Sequence, residues 1–358
     1  MQKGKMVPRA EIQAQLGSRK GPKREFASFH DGPERPGVAK SPARPPDAST
    51  RRKAPSRRDK SLDDQDDELL EPVDGRYVDK AIDGRYEVKR LLGSGGMGEV
   101  YLAYDTSDKK DVAIKIAFKS HGERAARRLL RELEVLGMVQ HERIVGCTDS
   151  GEVDGRRYMV MEYVKGEDLI TFIRRHGGLG LDKALRITGQ LAEALEALAE
   201  KGIVHRDLKP ENVIVESDAG GPSVKIIDFG LAVIEGGERI ESKGNAAGTP
   251  AYMSPEQARG LDVTPTSDIY ALASNLFEMV TGQPLFTGFD PEYVMRGVRD
   301  YIPGLHALIT DDLPRGVNRL ITKMHATDPS KRPTSREVKA QVAAMIEEIS
   351  GPKASPSA

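Results

Sequence analysis

The order in which two apolar periodicities follow one another constrains this chain more than any other feature. From Tyr86 the sequence runs in short alternating segments. Tyr86–Leu92, Val100–Tyr104, Val112–Phe118, Ile144–Cys147 and Tyr158–Tyr163 read as strands. One helix interrupts them over Arg124–Val139, with Leu129, Leu133 and Leu136 on a single stripe. After Gly166 the spacing turns helical, at Asp168–Arg175, Lys183–Lys201, Ser267–Val280 and Ser335–Ile349. Strands gathered ahead of helices predict an α+β chain, with a small strand-rich lobe before a larger helical one.

What precedes Tyr86 is different in kind. Residues 1–60 carry 16 Lys/Arg against 6 Asp/Glu and hold 8 of the 22 prolines. With few large apolar residues, such a stretch cannot offset its ordering entropy by burial, so a disordered tail is expected. Residues 61–76 carry 7 acids against one arginine, so the formal net charge of −1 conceals a basic block, an acidic block and a mildly acidic body. The clusters Arg51-Arg52-Lys53 and Arg57-Arg58-Asp59-Lys60 suggest an acidic partner or a nucleic acid surface; the plainer alternative is a solvated tail. A short echo, Asp74-Gly75-Arg76-Tyr77 and Asp83-Gly84-Arg85-Tyr86, is too brief for a repeat architecture. The expected organisation is a tail over 1–79 (basic 1–60, acidic 61–76), a folded domain over 80–350 with lobes 80–164 and 165–350, and a flexible end over 351–358.

Several classes are excluded. The single cysteine, Cys147, forms neither an intrachain disulfide nor a multi-thiolate metal site. No apolar run approaches the roughly 18 residues a membrane span needs, and no apolar stretch follows the first lysines as in a secretory signal. A soluble, cytoplasmic protein is expected, whose input arrives from the cytosol or through the tail, because the chain ends a few residues after its last helix.

The chemistry concentrates at three places. Leu92-Gly93-Ser94-Gly95-Gly96-Met97-Gly98-Glu99-Val100 holds three glycines spaced so that backbone N–H groups can approach phosphate oxygens. A dinucleotide fingerprint needs a helix to open at the last glycine. Here a strand continues, so the loop caps a hairpin. Val112-Ala113-Ile114-Lys115 then puts a lysine in an apolar strand, where it needs a carboxylate. Glu132, on the helix stripe, is the natural candidate. Glu134, about 200° around the helix, is the alternative. Finally, Val204-His205-Arg206-Asp207-Leu208-Lys209-Pro210-Glu211-Asn212-Val213 packs ionisable and amide groups between apolar flanks, and Asp228-Phe229-Gly230 follows. The Asn212 amide and the Asp228 carboxylate suit magnesium, which takes oxygen ligands and leaves sites for water and phosphate.

In this order the motifs resemble the eukaryotic-like (Hanks-type) serine/threonine protein kinases, most closely their bacterial branch, over about Tyr86 to Ile349. The resemblance implies the two-lobed kinase fold, ATP as donor, Mg²⁺ (or Mn²⁺ in its place) as metal, and protein substrates with Ser/Thr acceptors. It implies that Gly93, Gly95 and Gly98 cover the phosphates, that Leu92, Ser94, Gly96 and Met97 also belong to the ATP site, and that Lys115 contacts the α and β phosphates while paired to Glu132. Met161-Glu162-Tyr163-Val164 resembles the hinge, with the Glu162 carbonyl and Val164 amide on the adenine edge and Val100 and Ala113 over the ring. Asp207 would accept the substrate proton, Lys209 would neutralise the moving phosphoryl group, and Asn212 and Asp228 would hold the metal.

Lys209 and the run Gly248-Thr249-Pro250-Ala251-Tyr252-Met253-Ser254-Pro255-Glu256 resemble the serine/threonine class, with Thr249 shaping the acceptor pocket. Ser254 stands where alanine is usual. Glu256 is expected to pair with Arg332. Residues 231–247 contain no threonine, and Ser242 is their one hydroxyl. Ser242 is therefore the expected autophosphorylation site, facing Arg206 and Arg128 or Arg131; a permanent charge from Glu241 is the competing reading. The rival functions are a nucleotide-binding pseudokinase, a small-molecule phosphotransferase, and an adaptor recruited through its tail.

Overall fold

The computed structural model describes residues 75–95, 98–118, 122–218, 220–234, 248–285, 295, 298 and 313–350. The charged blocks before Gly75, the loop positions Gly96 and Met97, Glu241, Ser242 and residues 351–358 lie outside the described residues.

The strand-rich lobe is a six-stranded antiparallel sheet in the order β1-β2-β3-β4-β6-β5. Its strands are β1 (Ala81–Ile82), β2 (Tyr86–Gly95), β3 (Gly98–Asp105), β4 (Lys110–Ala117), β5 (Cys147–Val153) and β6 (Arg156–Glu162). Helix α1 (Gly122–Met138) crosses between β4 and β5. Period-two alternation sorts β4 between two cores. Val112, Ile114 and Ile116 enter an outer cluster with four buried tyrosines, Tyr77, Tyr86, Tyr101 and Tyr158. Ala113 and Ala117 face the other way, into the main core with Leu129 and Leu136 of α1.

Two departures from the expected strands have local causes. Ile144 makes only an isolated parallel bridge to Ile226. The chain there is held by the other lobe, with Val145 N–H donating to Ile226 O at 3.0 Å and Ile226 N–H to Arg143 O at 2.9 Å. The strand instead begins at Cys147 and runs through Thr148-Asp149-Ser150, an edge strand whose alternation carries no apolar signal. Its hairpin partner is reached through Asp154-Gly155, with φ of 50° and 70°, the left-handed pair that a two-residue turn requires. The second departure is at the start. Tyr77, expected in the tail, is buried and meets the ring of Tyr101 edge-on at 5.8 Å. Asp79 N–H donates to Val88 O, and Val88 N–H to Lys80 O. Both echoing Asp-Gly-Arg-Tyr segments thus deliver a tyrosine to one cluster.

The helical lobe contains β7 (Glu167–Asp168), α2 (Leu169–His176), α3 (Leu181–Ala199), β8 (Ile203–Val204), β9 (Val213–Asp218), β10 (Gly221–Ile226), β11 (Val233–Ile234), α4 (Pro255–Ala258), α5 (Pro265–Thr281), α6 (Arg315–Met324) and α7 (Ser335–Ser350). Strands β10, β9 and β7 form one small sheet, and β8 pairs with β11. Asp168 caps α2 by accepting from Thr171 N–H, and Gly177 ends it at φ 66°, the left-handed position that favours glycine. Helix α5 is buried from Ser267 to Met279, so it is the post against which the loops of the site are set. Among the described residues no helix is long and apolar enough to cross a membrane.

Candidate active site

A cavity of about 820 Å³ opens between the lobes, a size typical of small-molecule sites. Its roof is the β2–β3 hairpin, in which Gly93 pairs with Val100, Ser94 with Glu99 and Gly95 with Gly98. The three glycines are not equivalent. A Cβ on Gly98 would stand 2.2 Å from the Ile116 carbonyl oxygen, so strand packing alone demands glycine there. A Cβ on Gly93 or Gly95 would meet nothing within 4 Å. The space beside those two is therefore open to a ligand. Leu92, Val100 and Ala113 also line the cavity, as do Met161, Glu162, Tyr163 and Val164.

Lys115 projects from β4 toward two carboxylates, with Nζ 2.6 Å from Glu132 Oε2 and 3.2 Å from Asp228 Oδ1. Glu134 instead pairs with Arg131 on the solvent side. Phe229 N–H donates to Glu132 Oε1 at 3.3 Å, and Gly230 N–H to Asp228 Oδ1 at 3.0 Å. Burial alone would lower the Lys115 ammonium, but Asp228 and Glu132 outweigh it and hold it above its ordinary value. Burial pushes the Glu132 carboxyl up to about 7 against the pull of Lys115. Asp228 lies below the usual carboxylate range, because Lys115 and the Gly230 N–H outweigh the partial desolvation of a half-exposed side chain.

The loop from His205 to Asn212 is fixed from beneath. His205 N–H and Arg206 N–H donate to the two oxygens of Asp268 on α5, at 2.7 and 2.9 Å. This clamp holds Arg206 at φ 69°, a left-handed conformation that costs a non-glycine residue of order 1 kcal/mol or more. Asn275 Nδ2, also on α5, donates to Leu208 O at 3.1 Å. Asp207 is thereby presented to the cavity with its carboxylate engaged on both oxygens. Thr249 donates to Oδ1 through its N–H at 2.9 Å and its hydroxyl at 3.0 Å. Lys209 Nζ lies 3.1 Å from Oδ2 and donates to Thr249 Oγ1 at 2.8 Å. Asn212 Nδ2 donates to the Asp207 carbonyl at 2.8 Å and to Oδ2 at 3.2 Å. With its NH₂ turned to Asp207, Asn212 keeps its amide oxygen as the atom able to ligate a cation.

The Gly248–Glu256 segment is anchored in the lobe's interior. Arg332 meets Glu256 bidentately, Nη1 to Oε1 at 2.6 Å and Nη2 to Oε2 at 2.8 Å. Ser267 donates to Glu256 Oε1 at 2.6 Å, and the Tyr270 ring lies 5.2 Å from the guanidinium carbon. Glu256 is buried, yet Arg332 keeps its carboxyl below the ordinary range.

Residues 86–342 match the protein kinase domain family. The chain belongs to that family. It is 37% identical over 261 residues to serine/threonine-protein kinase pkn2 of Myxococcus xanthus, an alignment covering 71% of this chain and 31% of the relative. Over 269 residues it is 35% identical to serine/threonine-protein kinase PrkC of Bacillus subtilis, covering 74% of this chain and 41% of the relative. Serine/threonine-protein kinase PksC of Streptomyces coelicolor is 37% identical over 276 residues, 74% of this chain and 49% of its own. The chain thus spans about a third to a half of these relatives.

Some residues that organise the kinase domain's site carry only weak signals in the sequence. Asp268 belongs to no motif, and its one signal is that an acid heading the apolar stretch Ile269-Tyr270-Ala271-Leu272 must find buried donors. Tyr252 donates to Glu278 at 2.6 Å, which seats the Thr249 segment on α5. Asp168 lines the cavity mouth while capping α2; its position just after the hinge was the available signal.

Proposed function

We propose that this kinase domain transfers the γ-phosphoryl group of ATP to serine and threonine hydroxyls of proteins. The observation that carries the reading is the convergence of Lys115, Glu132, Asp207, Lys209, Asn212 and Asp228 on one cavity roofed by Gly93 and Gly95, with Thr249 bonded to Asp207 and Lys209. A glycine roof and an anchored ammonium suit a polyphosphate, and the neighbouring wall over 161–164 suits a flat base. In this reading Lys115 steadies the α and β phosphates and Glu132 holds Lys115 in place. Asp207 orients the acceptor hydroxyl and takes its proton, while Lys209 offsets charge on the moving group. The Asn212 amide oxygen and the Asp228 carboxylate form an oxygen donor set that fits Mg²⁺, or Mn²⁺ in its place, and they would hold it. The ion supplies charge neutralisation at the phosphates when bound. The Thr249 hydroxyl beside Asp207 and Lys209 favours an aliphatic hydroxyl as acceptor, in keeping with the serine/threonine names of the relatives. The complete set of ionisable groups speaks against a pseudokinase. Autophosphorylation at Ser242 and a cytoplasmic setting belong to the same reading.

The test compares transfer of labelled phosphate from ATP to a generic protein by the wild type and Asp207→Asn. A loss of about 10²–10⁴-fold is expected, the usual worth of a positioned acid–base group. Equal transfer by both proteins would sink the assignment.

A further inference from the structure

Glu162 is the last residue of β6, where the chain leaves the strand lobe. Its carboxylate joins three parts of the protein at one atom. Oε1 accepts from Gly146 N–H at 2.9 Å and from Lys225 Nζ at 2.7 Å. Gly146 belongs to the segment that precedes β5. Lys225 belongs to β10 of the helical lobe, where it pairs in register with Ile214, a residue of the cavity lining. Beside this knot the segment is tied to β10 by the Arg143 and Val145 backbone bonds already described. Arg143 Nη1 also donates to Ser223 Oγ at 2.7 Å. The backbone ties form a fulcrum, and the Glu162–Lys225 pair at 2.7 Å is the shorter ionic contact across it, beside Arg143–Glu193 at 4.0 Å.

The pair differs from the buried ion pairs in its access to water. The side chains of Lys225 and Glu162 are 21% and 39% exposed. It can therefore part without stranding a charge in a dry interior, and salt weakens it. A contact that parts readily at the crossing between two lobes resists their separation without preventing it.

We propose that Glu162 and Lys225 form an ionic latch at the rear of the cavity that slows lobe opening and so slows nucleotide release. They act as positioning residues, with no contact to reacting atoms required. The proposal rests on the nucleotide reading of the cavity.

Dissociation of N-methylanthraniloyl-ADP from the full chain, followed by stopped-flow fluorescence, tests it with Lys225→Met, Glu162→Gln and the double variant. Each single variant should release ADP about two- to fivefold faster, the range for a partly exposed pair, with KM for ATP raised in proportion. The double variant should release no faster than the singles, and added salt should accelerate the wild type more than the variants. Unchanged release with a lowered melting temperature, or additive effects in the double variant, would overturn the latch. A wild type that binds no labelled ADP would overturn the nucleotide reading itself, and the latch with it.

Discussion

Two buried glutamates, one in each lobe, face a basic partner and are treated by the protein in opposite ways. Glu256 takes both forks of Arg332 and a serine hydroxyl, and its carboxyl is held below the ordinary range. Glu132 shares a single ammonium with Asp228, adds one N–H at 3.3 Å, and is pushed up to about 7. The first pair is saturated and lies away from the cavity, with Arg332 entirely covered. The second is undersupplied and opens onto it, with Lys115 still 17% exposed. A planar guanidinium suits a permanent bidentate clasp, whereas a lysine is a point charge able to redistribute among several anions. The difference separates an ion pair that holds the fold from one arranged to receive further negative charge.

The contrast can be broken most forcefully at Arg332. Arg332→Met leaves Glu256 buried without a counter-charge, still held by the Ser267 hydroxyl, and should cost about 3–5 kcal/mol of stability in chemical denaturation. A much smaller loss would show the clasp to be dispensable. Lys115→Met should do the reverse. Phosphate transfer should fall about 10²–10³-fold, as when one electrostatic contact to a transition state is removed, while the melting temperature moves little because Glu132 can take up a proton. A large melting shift would place both pairs in the same class.

The pH dependence sharpens the comparison with effects of opposite sign. Glu132, raised from 4.5 to about 7, contributes stability that is full below pH 4.5 and lost as pH rises through about 7. Glu256, depressed, contributes stability that is full above 4.5 and lost as pH falls below it. Melting curves across this range should show Glu132→Gln flattening the neutral side and Glu256→Gln the acid side. An exchange of these two effects would overturn the assignment. The smallest effect is expected at the surface pair Lys89–Asp111, whose members are 45% and 36% exposed. Lys89→Ala should change stability by no more than about 1 kcal/mol.

Which parts of this arrangement were legible in the sequence follows from range. The glycine hairpin, the lysine in an apolar strand and the Asp207–Asn212 string are local patterns, and each stands where its neighbours in the chain put it. The choice of Glu132 over Glu134 followed from the helix stripe, because two residues turn a helix to its far side. Long-range polar contacts left weaker traces. Asp268 serves residues 62 and 63 positions away, and only its apolar surroundings hinted at the need. The Cys147–Val153 strand was hidden because an edge strand tolerates polar side chains on both faces. Tyr77 was hidden by its acidic, proline-containing neighbours, which gave the character of a tail to residues that fold into a core.

That last point bears on where this protein can be cut. The family match starts at Tyr86, and a chain trimmed to that boundary would look complete by its motifs. It would nonetheless lose β1 and the aromatic plug from Tyr77, leaving a ring-sized void over Tyr101, whose hydroxyl is bonded to Glu99 opposite Ser94 of the glycine hairpin. The family match therefore starts inside the packed region, and the described residues 75–85 ahead of it belong to the same core.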